Sequence, residues 1–293
     1  MIAGQQAGRN FGISTRGWFQ QPLGPRVLES IHAAGFRRIE LFANRPHMDF
    51  GDRGLQKTIA AWFSGADVDA PALHLPVWEP TGRTTIRWIS PLSAEPIERQ
   101  ESLDQIKRAL ELTDRVGCAY ALVHLGIPGQ DFNPVLWERA YALVRTIQEH
   151  SGIRVLLETL DNAIATPERL REFIATTRLD HTAVCYDIGH RRPGEDWPDL
   201  DGIELVHLDD NDGDSDAHQL PFDGSIRWPE FVSHVVENGY NGSWVLEAHT
   251  DDAGAGATAA SRLDDMMSEA RDSIEEFRNR HGIAAPRDRR DGP

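Results

Sequence analysis

The chain is poor in cysteine and in lysine. Only Cys118 and Cys185 are cysteines, which is too few for a disulfide framework and is typical of buried free thiols in a reducing compartment. We therefore expect a cytoplasmic protein. The only lysines, Lys57 and Lys107, fall in predicted helices, which argues against an enzyme that forms a Schiff base with its substrate.

Long apolar runs are also missing. No segment approaches the roughly 20 apolar residues that a membrane-spanning helix needs, and the first residues lack the basic and apolar regions of a secretory signal. These absences predict a protein without a membrane partner. We expect a flexible N-terminus over 1–10, a single barrel domain over 11–282 and a disordered C-terminal tail over 283–293.

Positive charge is scarce relative to negative charge. The chain has 30 lysines and arginines against 46 aspartates and glutamates, which gives a net charge of −16. A surface this acidic opposes association with nucleic acid unless a basic patch is concentrated somewhere. The composition therefore argues against a nucleic-acid partner.

Short apolar segments alternate with helical ones along the whole chain. This alternation is typical of a (β/α)8 TIM barrel, with a doubly wound open sheet as the alternative. Neither a G-x-G-x-x-G motif nor a Walker loop appears, so a nucleotide-binding fold has no support. The predicted strands are 11–15, 36–43, 70–76, 120–125, 154–159, 182–187, 203–209 and 242–249.

Two connections between these strands differ from the rest. The segment 77–95 is long for a loop in a compact domain and is predicted to be an active-site cover. It contains Trp78 and Trp88, which would either stack on a sugar face or pack against the barrel rim. The helix after the sixth strand is poorly marked, and we place it near 196–200.

The stretch 203–228 carries the clearest chemical signal. It opens as an apolar run that suits a strand buried on both faces, and a glycine-broken loop follows. Histidine and carboxylate ligands suit zinc, manganese and similar ions, so the stretch predicts either a divalent metal site or a solvated acidic loop. Its polar residues are His207, Asp209, Asp210, Asp212, Asp214, Asp216 and His218.

Metal-competent side chains recur at the ends of the other predicted strands. In a TIM barrel the carboxyl ends of the strands form the active-site face. Each residue alone has an ordinary interpretation, but carboxylates are rarely buried without a partner. Together they predict a metal centre built from His74, His124, Glu158, Asp187, His190, His207, Asp216, His218 and Glu247.

With these motifs the chain resembles the xylose-isomerase-like TIM-barrel superfamily, which holds sugar and sugar-phosphate isomerases and epimerases and also endonuclease IV. The resemblance covers nearly the whole predicted barrel, and its motifs are specific for the superfamily rather than for one reaction. They are His74-Leu-Pro, His124-Leu-Gly, Leu157-Glu158-Thr159, Asp187-Ile-Gly-His190, His207-Leu-Asp-Asp-Asn, Asp216-Ala-His218, 224–228 and Leu246-Glu247.

The isomerase and epimerase branch implies one divalent ion and a sugar, sugar phosphate or related polyol as substrate, which is the function we prefer. By this resemblance Glu158 and Glu247 would remove and return a proton through an enediolate, and His190 would bind the substrate. An arginine often stands in this branch where the chain has His218. The metal ligands would be Glu158, Asp187, His207 and Glu247.

The endonuclease IV branch implies three zinc ions and cleavage of a phosphate ester by an activated water. The acidic charge argues against DNA as its substrate, and elimination or hydrolysis of a modified sugar is a third alternative. We therefore expect one to three zinc, manganese, magnesium or cobalt ions per chain. The three groups of ligands would be His74, His124 and Glu158; Glu158, Asp187, His207 and Glu247; and His190, Asp216 and His218.

Several further roles are open from the sequence. The acidic residues of 209–214 would offer acceptors that orient His207 or His218. The expected partner is a small sugar-like substrate, and barrels of this type often form homo-oligomers. Candidates for anion contacts, with surface charge as the alternative, are Arg83, Arg87, Arg191 and Arg192.

Overall fold

The computed structural model describes residues 11–82, 85–192 and 194–281. Eight parallel strands close into a barrel, which confirms the predicted (β/α)8 TIM barrel. The predicted flexible N-terminus and the predicted C-terminal tail lie outside the described residues. The barrel strands are β1 (Phe11–Ser14), β2 (Ile39–Phe42), β3 (Ala72–His74), β6 (Tyr120–His124), β7 (Arg154–Glu158), β8 (Thr182–Asp187), β9 (Ile203–Leu208) and β10 (Ser243–Leu246), and β4 (Trp78–Pro80) and β5 (Ile86–Trp88) form a separate hairpin.

The described residues also form seven α-helices and one short 3-10 helix. Proline at the first helical position opens α3 and α4, and a glycine in the left-handed conformation ends each of them, Gly117 and Gly152. Local signals therefore set both ends of each of these two helices. The helices are α1 (Pro25–Ala33), α2 (Arg53–Gly65), α3 (Pro96–Val116), α4 (Pro134–Ser151), α5 (Pro167–Thr177), α6 (Trp228–Glu237) and α7 (Ala253–His281), and the 3-10 helix is Thr15–Trp18.

A small apolar cluster made of strand residues fills the barrel and sets the position of the polar residues above it. Successive side chains of a strand alternate between its two faces, so residues two apart share a face. Leu156 and Leu205 belong to this cluster, and Glu158 and His207 follow them at that spacing. The same spacing links Ala72 to His74, Leu122 to His124, Cys185 to Asp187 and Val245 to Glu247.

The strand register brings these polar residues to one level. His124 pairs with Glu158 across β6 and β7, and Asp187 pairs with His207 across β8 and β9. The apolar cluster occupies the interior of the barrel, and the polar side chains form the next layer toward the carboxyl ends of the strands. The fold thus delivers ligands from six strands to one pole.

Two predicted connections were wrong in part. The segment 77–95 is not an irregular loop, since β4 and β5 pair antiparallel with Trp78 opposite Trp88. The short helix predicted near 196–200 is absent, because the described residues of 188–202 form no helix. Both cysteines are free, as expected, with Cys185 buried and Cys118 partly buried. No helix within the described ranges has the length and apolarity to cross a membrane.

The 3-10 helix after β1 is packed directly against the chain that follows β10. A methyl group on Gly17 would lie 2.2 Å from the carbonyl oxygen of Thr250 and 3.0 Å from that of Ala248. Both neighbours are backbone atoms, so the clash could be relieved only by a shift of the backbone. Glycine at this position therefore lets two strand-end connections touch.

We predict that Gly17→Ala destabilises the protein by about 1–3 kcal/mol, the usual cost of overpacking. Chemical denaturation followed by fluorescence would measure the change. Gly65→Ala is the matched control, because a methyl group there meets no atom within 4 Å and lies in α2. Equal stability of the two variants would contradict the close packing.

Candidate metal centre

The structure gathers all nine predicted ligands at the carboxyl ends of the strands. They form three groups, in each of which the candidate ligand atoms lie within 4.8 Å of one another, and a fourth group joins two of the nine, Asp187 and His218, to Asp209. Glu158 belongs to two of the groups. The first group is His74, His124 and Glu158, the second is Glu158, Asp187, His207 and Glu247, and the third is His190, Asp216 and His218.

The first two groups meet at the buried carboxylate of Glu158. Its Oε2 lies 3.1 Å from His74 Nε2 and 2.7 Å from His124 Nε2, while its Oε1 lies 3.1 Å from His207 Nδ1. The same His207 nitrogen lies 3.2 Å from Glu247 Oε2 and 3.7 Å from Asp187 Oδ2. Glu158 and Glu247 therefore both approach the same ring nitrogen of His207.

The histidines of the centre are oriented by their second ring nitrogens. His74 Nδ1 lies 2.9 Å from the carbonyl oxygen of Leu75, and His190 Nδ1 lies 2.7 Å from that of Thr159. His207 Nε2 lies 3.0 Å from a carboxylate oxygen of Glu40. These contacts leave the other ring nitrogen aimed at the site, the usual arrangement of histidines that bind a metal.

The third group is assembled by short local contacts. Asp187 Oδ1 accepts hydrogen bonds from the backbone N–H groups of Gly189 and His190, at 2.7 and 3.3 Å, which bends the chain after β8. Glycine is needed in this turn because a methyl group on Gly189 would lie 2.4 Å from the Asp209 carboxylate. Asp209 in turn lies 2.6 Å from His218 Nδ1.

The long loop after β9 is held by one buried carboxylate. Asp210 accepts hydrogen bonds from the backbone N–H groups of Asn211, Phe222 and Ile226 and from the indole of Trp228, at 2.7–3.0 Å. Four donors on one carboxylate fix both ends of the loop that carries Asp216 and His218. These two residues are thereby brought beside His190, with His218 Nε2 at 3.0 Å and His190 Nε2 at 3.3 Å from Asp216.

The buried atoms of the centre fit divalent cations. Within the described ranges, several expected ligand atoms are buried and make no hydrogen bond of acceptable geometry, although charged atoms lie close to them. Burying such atoms unsatisfied is costly, and nitrogen and oxygen donors of this kind suit zinc or manganese. The atoms are Glu158 Oε2, Asp187 Oδ2, Glu247 Oε1, His124 Nε2 and His218 Nε2.

Charge in the third group favours protonated histidines next to ionised carboxylates. Burial lowers the pKa of His190, but Asp187 and Asp216 outweigh it and raise that pKa well above its usual value. Burial and Arg16 lower the pKa of His218, yet Asp209 and Asp216 raise it to about 9. Burial raises the pKa of Asp216, but the two histidines hold it well below its usual value.

The remaining residues singled out in the sequence lie around this centre. Arg87 pairs with Glu79 and Glu101, and Arg192 pairs with Asp161. Arg191 stacks on Trp197 in a cavity of about 670 Å³ that also reaches Asp187 and His190. Trp78 packs edge-on against Phe19, and Arg83 lies outside the described residues.

Sequence reasoning missed several residues that contact the ligands. Glu40 is a buried carboxylate inside the apolar strand β2, between Ile39 and Leu41, rather than at a strand end as Glu158 and Glu247 are. Asp209 was not separated from the other acidic residues of its loop. Arg16 lies 3.8 Å from Glu247 Oε1 and 3.0 Å from His249 Nε2, and only its place after the first strand could have marked it.

Comparison with known proteins identifies the family of this chain. The family model described as xylose isomerase-like TIM barrel matches residues 28–278. The chain belongs to this family. Fructoselysine 3-epimerase of Escherichia coli O157:H7 is 24% identical over 256 residues, which cover 82% of this chain and 90% of that relative.

Solved structures share the fold at lower identity. A structure of L-ribulose 3-epimerase has a TM-score of 0.70 and 17% identity, covering 95% of this chain and 99% of that one. A crystal structure of the IolI protein with a zinc atom has a TM-score of 0.69 and 17% identity, covering 89% and 99%. At these identities the likeness establishes the barrel fold.

We predict that Asp210→Ala destabilises the protein by about 2–3 kcal/mol, because four donors lose their acceptor. Zinc binding to the third group should weaken with it, since Asp216 and His218 lose their support. Denaturation and zinc titration would measure both effects. Asp212→Ala is the control, as this exposed residue bonds only within 212–215; equal losses in both variants would contradict the role of Asp210.

Metal loading is expected to release protons. The raised pKa values leave His190 and His218 protonated in the metal-free protein at pH 7, whereas a metal ligand must be a neutral imidazole. Loading of the third group should therefore release about two protons at pH 7, and affinity should fall as the pH is lowered. Calorimetric zinc titration in two buffers of different ionisation enthalpy would count the protons; identical heats in both buffers would contradict this prediction.

Proposed function

We propose that the chain is a divalent-metal-dependent isomerase or epimerase that acts on a sugar, sugar phosphate or related polyol. The observation that carries the proposal is the pair of buried carboxylates, Glu158 and Glu247, that lie 3.1 and 3.2 Å from the same nitrogen of His207. Relatives named as sugar epimerases support the same reaction class. The substrate would be a small molecule, and a cytoplasmic location and a homo-oligomer belong to the proposal.

Both carboxylates are ionised and so able to accept a proton at neutral pH. Burial raises the pKa of Glu158, but His124, His74 and His207 hold it well below its usual value. Burial also raises the pKa of Glu247, which His207 and Arg16 bring below the usual value of a glutamate. An ionised carboxylate has the protonation state that a general base requires.

The second group would hold the ion through Glu158, Asp187, His207 and Glu247. When bound, a divalent ion polarises adjacent substrate oxygens and acidifies the C–H bond between them. One glutamate would remove that proton to give an enediolate, and a proton returned by the facing glutamate would complete epimerisation. His190 would hydrogen-bond a substrate hydroxyl from the third group, beside the 670 Å³ cavity.

A second candidate function is favoured by the surroundings of Glu158 Oε2. This oxygen lies between His74 Nε2 and His124 Nε2, at 3.1 and 2.7 Å, and belongs to the first ligand group as well as the second. With ions in all three groups it would bridge rather than accept a proton. The site would then suit a multinuclear zinc phosphoesterase, or a lyase or hydrolase of a modified sugar.

We predict that Glu158→Gln and Glu247→Gln each slow proton exchange by about 10²–10⁴-fold, the usual contribution of a general base. A panel of ketoses in deuterated water, followed by NMR with manganese-loaded protein, would measure the exchange. Arg145→Gln, on the outer surface of α4, is the matched control. Full exchange activity in both glutamate variants would overturn the mechanism.

Metal content separates the two candidate functions. Elemental analysis close to one ion per chain favours the isomerase, and close to three zinc ions favours the second candidate. In the latter case zinc-loaded wild-type protein should hydrolyse an activated phosphodiester and should not exchange ketose protons. His74→Ala should abolish that hydrolysis.

A further inference from the structure

We propose that Arg16 binds the substrate oxygen on which negative charge develops beside Glu247. The inference rests on the proposed isomerase or epimerase function, and it adds the cationic group that would stabilise the enediolate. The second ligand group offers three carboxylates and His207, which would all face the ion, so a cationic donor next to Glu247 has to come from outside that group.

The position of Arg16 is fixed by its neighbours in the chain. It belongs to the 3-10 helix that follows β1, and its backbone N–H donates to Ser14 Oγ at 3.3 Å. The next residue, Gly17, packs on the carbonyl oxygens of Ala248 and Thr250. Arg16 is therefore held against the end of β10, where Glu247 lies.

Most N–H donors of the Arg16 guanidinium make no hydrogen bond in the described structure. Its Nη1 donates to His249 Nε2 at 3.0 Å, since a guanidinium cannot accept and the imidazole must. Its carbon lies 5.7 Å from the centre of the Phe42 ring. A guanidinium has five N–H donors, and within the part of the chain that the structure describes this is its only hydrogen bond. Its side chain is 17% exposed, so a substrate can reach it from the open pole.

The contact with Glu247 is too loose for a structural ion pair. Arginine and carboxylate usually meet through short, often bidentate hydrogen bonds of about 2.7–2.9 Å, whereas Arg16 Nε lies 3.8 Å from Glu247 Oε1. That oxygen makes no hydrogen bond within the described ranges. Arg16 thus lies beside Glu247 without binding it closely, which leaves its free N–H groups able to donate to a substrate oxygen next to the carbon that Glu247 would deprotonate.

This placement matches the charge that the proposed reaction creates. When Glu247 takes the proton from the carbon next to a carbonyl, the C–H electron pair forms a C=C bond and the carbonyl π electrons move to its oxygen. A fixed cation beside that oxygen lowers the barrier. The other arginines near the pole are engaged elsewhere, Arg87 and Arg192 with acidic residues and Arg191 on Trp197.

Oxalate tests the proposal without knowledge of the substrate, because its adjacent coplanar oxygens resemble those of an enediolate. Manganese-loaded protein would be titrated with oxalate by calorimetry. We expect Arg16→Gln to weaken oxalate binding about tenfold or more, as for a lost hydrogen bond to a charged group, and Arg16→Lys to lose less. Arg145→Gln, which removes an arginine from the surface of α4, should bind as the wild type does.

Measuring the manganese content of every sample distinguishes a failure of the Arg16 proposal from a failure of the proposed function. If wild-type protein holds manganese but not oxalate, or if Arg16→Gln binds oxalate within twofold of wild type, the role of Arg16 is wrong. If the wild type holds no manganese, the proposed function fails first. If ketose protons do not exchange but Arg16→Gln still loses oxalate, the oxyanion contact stands and the reaction class is wrong.

Discussion

Mutual repulsion of buried carboxylates is the constraint around which this barrel is organised. Glu40, Glu158, Asp187, Asp209 and Glu247 are all buried at one pole. Like charges this close disfavour ionisation unless cations or hydrogen-bond donors offset them. Histidines supply part of that charge in the metal-free protein, so the pole is stable only as a mixed network of acids and imidazoles. Divalent ions would replace the protons of this network, which couples metal affinity to stability.

The residues that position the candidate ligands are different from the candidate ligands themselves. Interior apolar side chains fix the strands, and the alternation of side chains places a candidate ligand two residues beyond six of the seven. The loop after β9 has no strand to position it. Asp210 holds this loop instead, because its carboxylate accepts four hydrogen bonds. Charged groups that are held rigidly in place can stabilise a transition state without first having to reorient.

Most of the barrel was predictable because its signals are local. Apolar runs marked the eight strands, and proline and glycine marked the ends of α3 and α4. The ligands were predictable because histidines and acids at strand ends must converge in a closed barrel. Glu40 and Arg16 were missed because their importance comes from neighbours distant in sequence, His207 and Glu247. The hairpin β4–β5 forms by antiparallel pairing within 78–88, and the weak helical signal near 196–200 does not produce a helix.

The two facing glutamates are not equivalent, and this asymmetry bears on the chemistry. Glu158 has both oxygens close to imidazoles, Oε1 to His207 and Oε2 to His74 and His124. Glu247 has one oxygen near His207 and another that lies 3.8 Å from Arg16 Nε and 3.6 Å from His74 Nε2. These last contacts are longer than the two contacts of Glu158 Oε2, so in the proposed mechanism Glu247 would be the first base. Glu158 would return the proton only if it did not also help to hold an ion in the first ligand group. The number of ions bound therefore decides which reaction the same nine side chains can support.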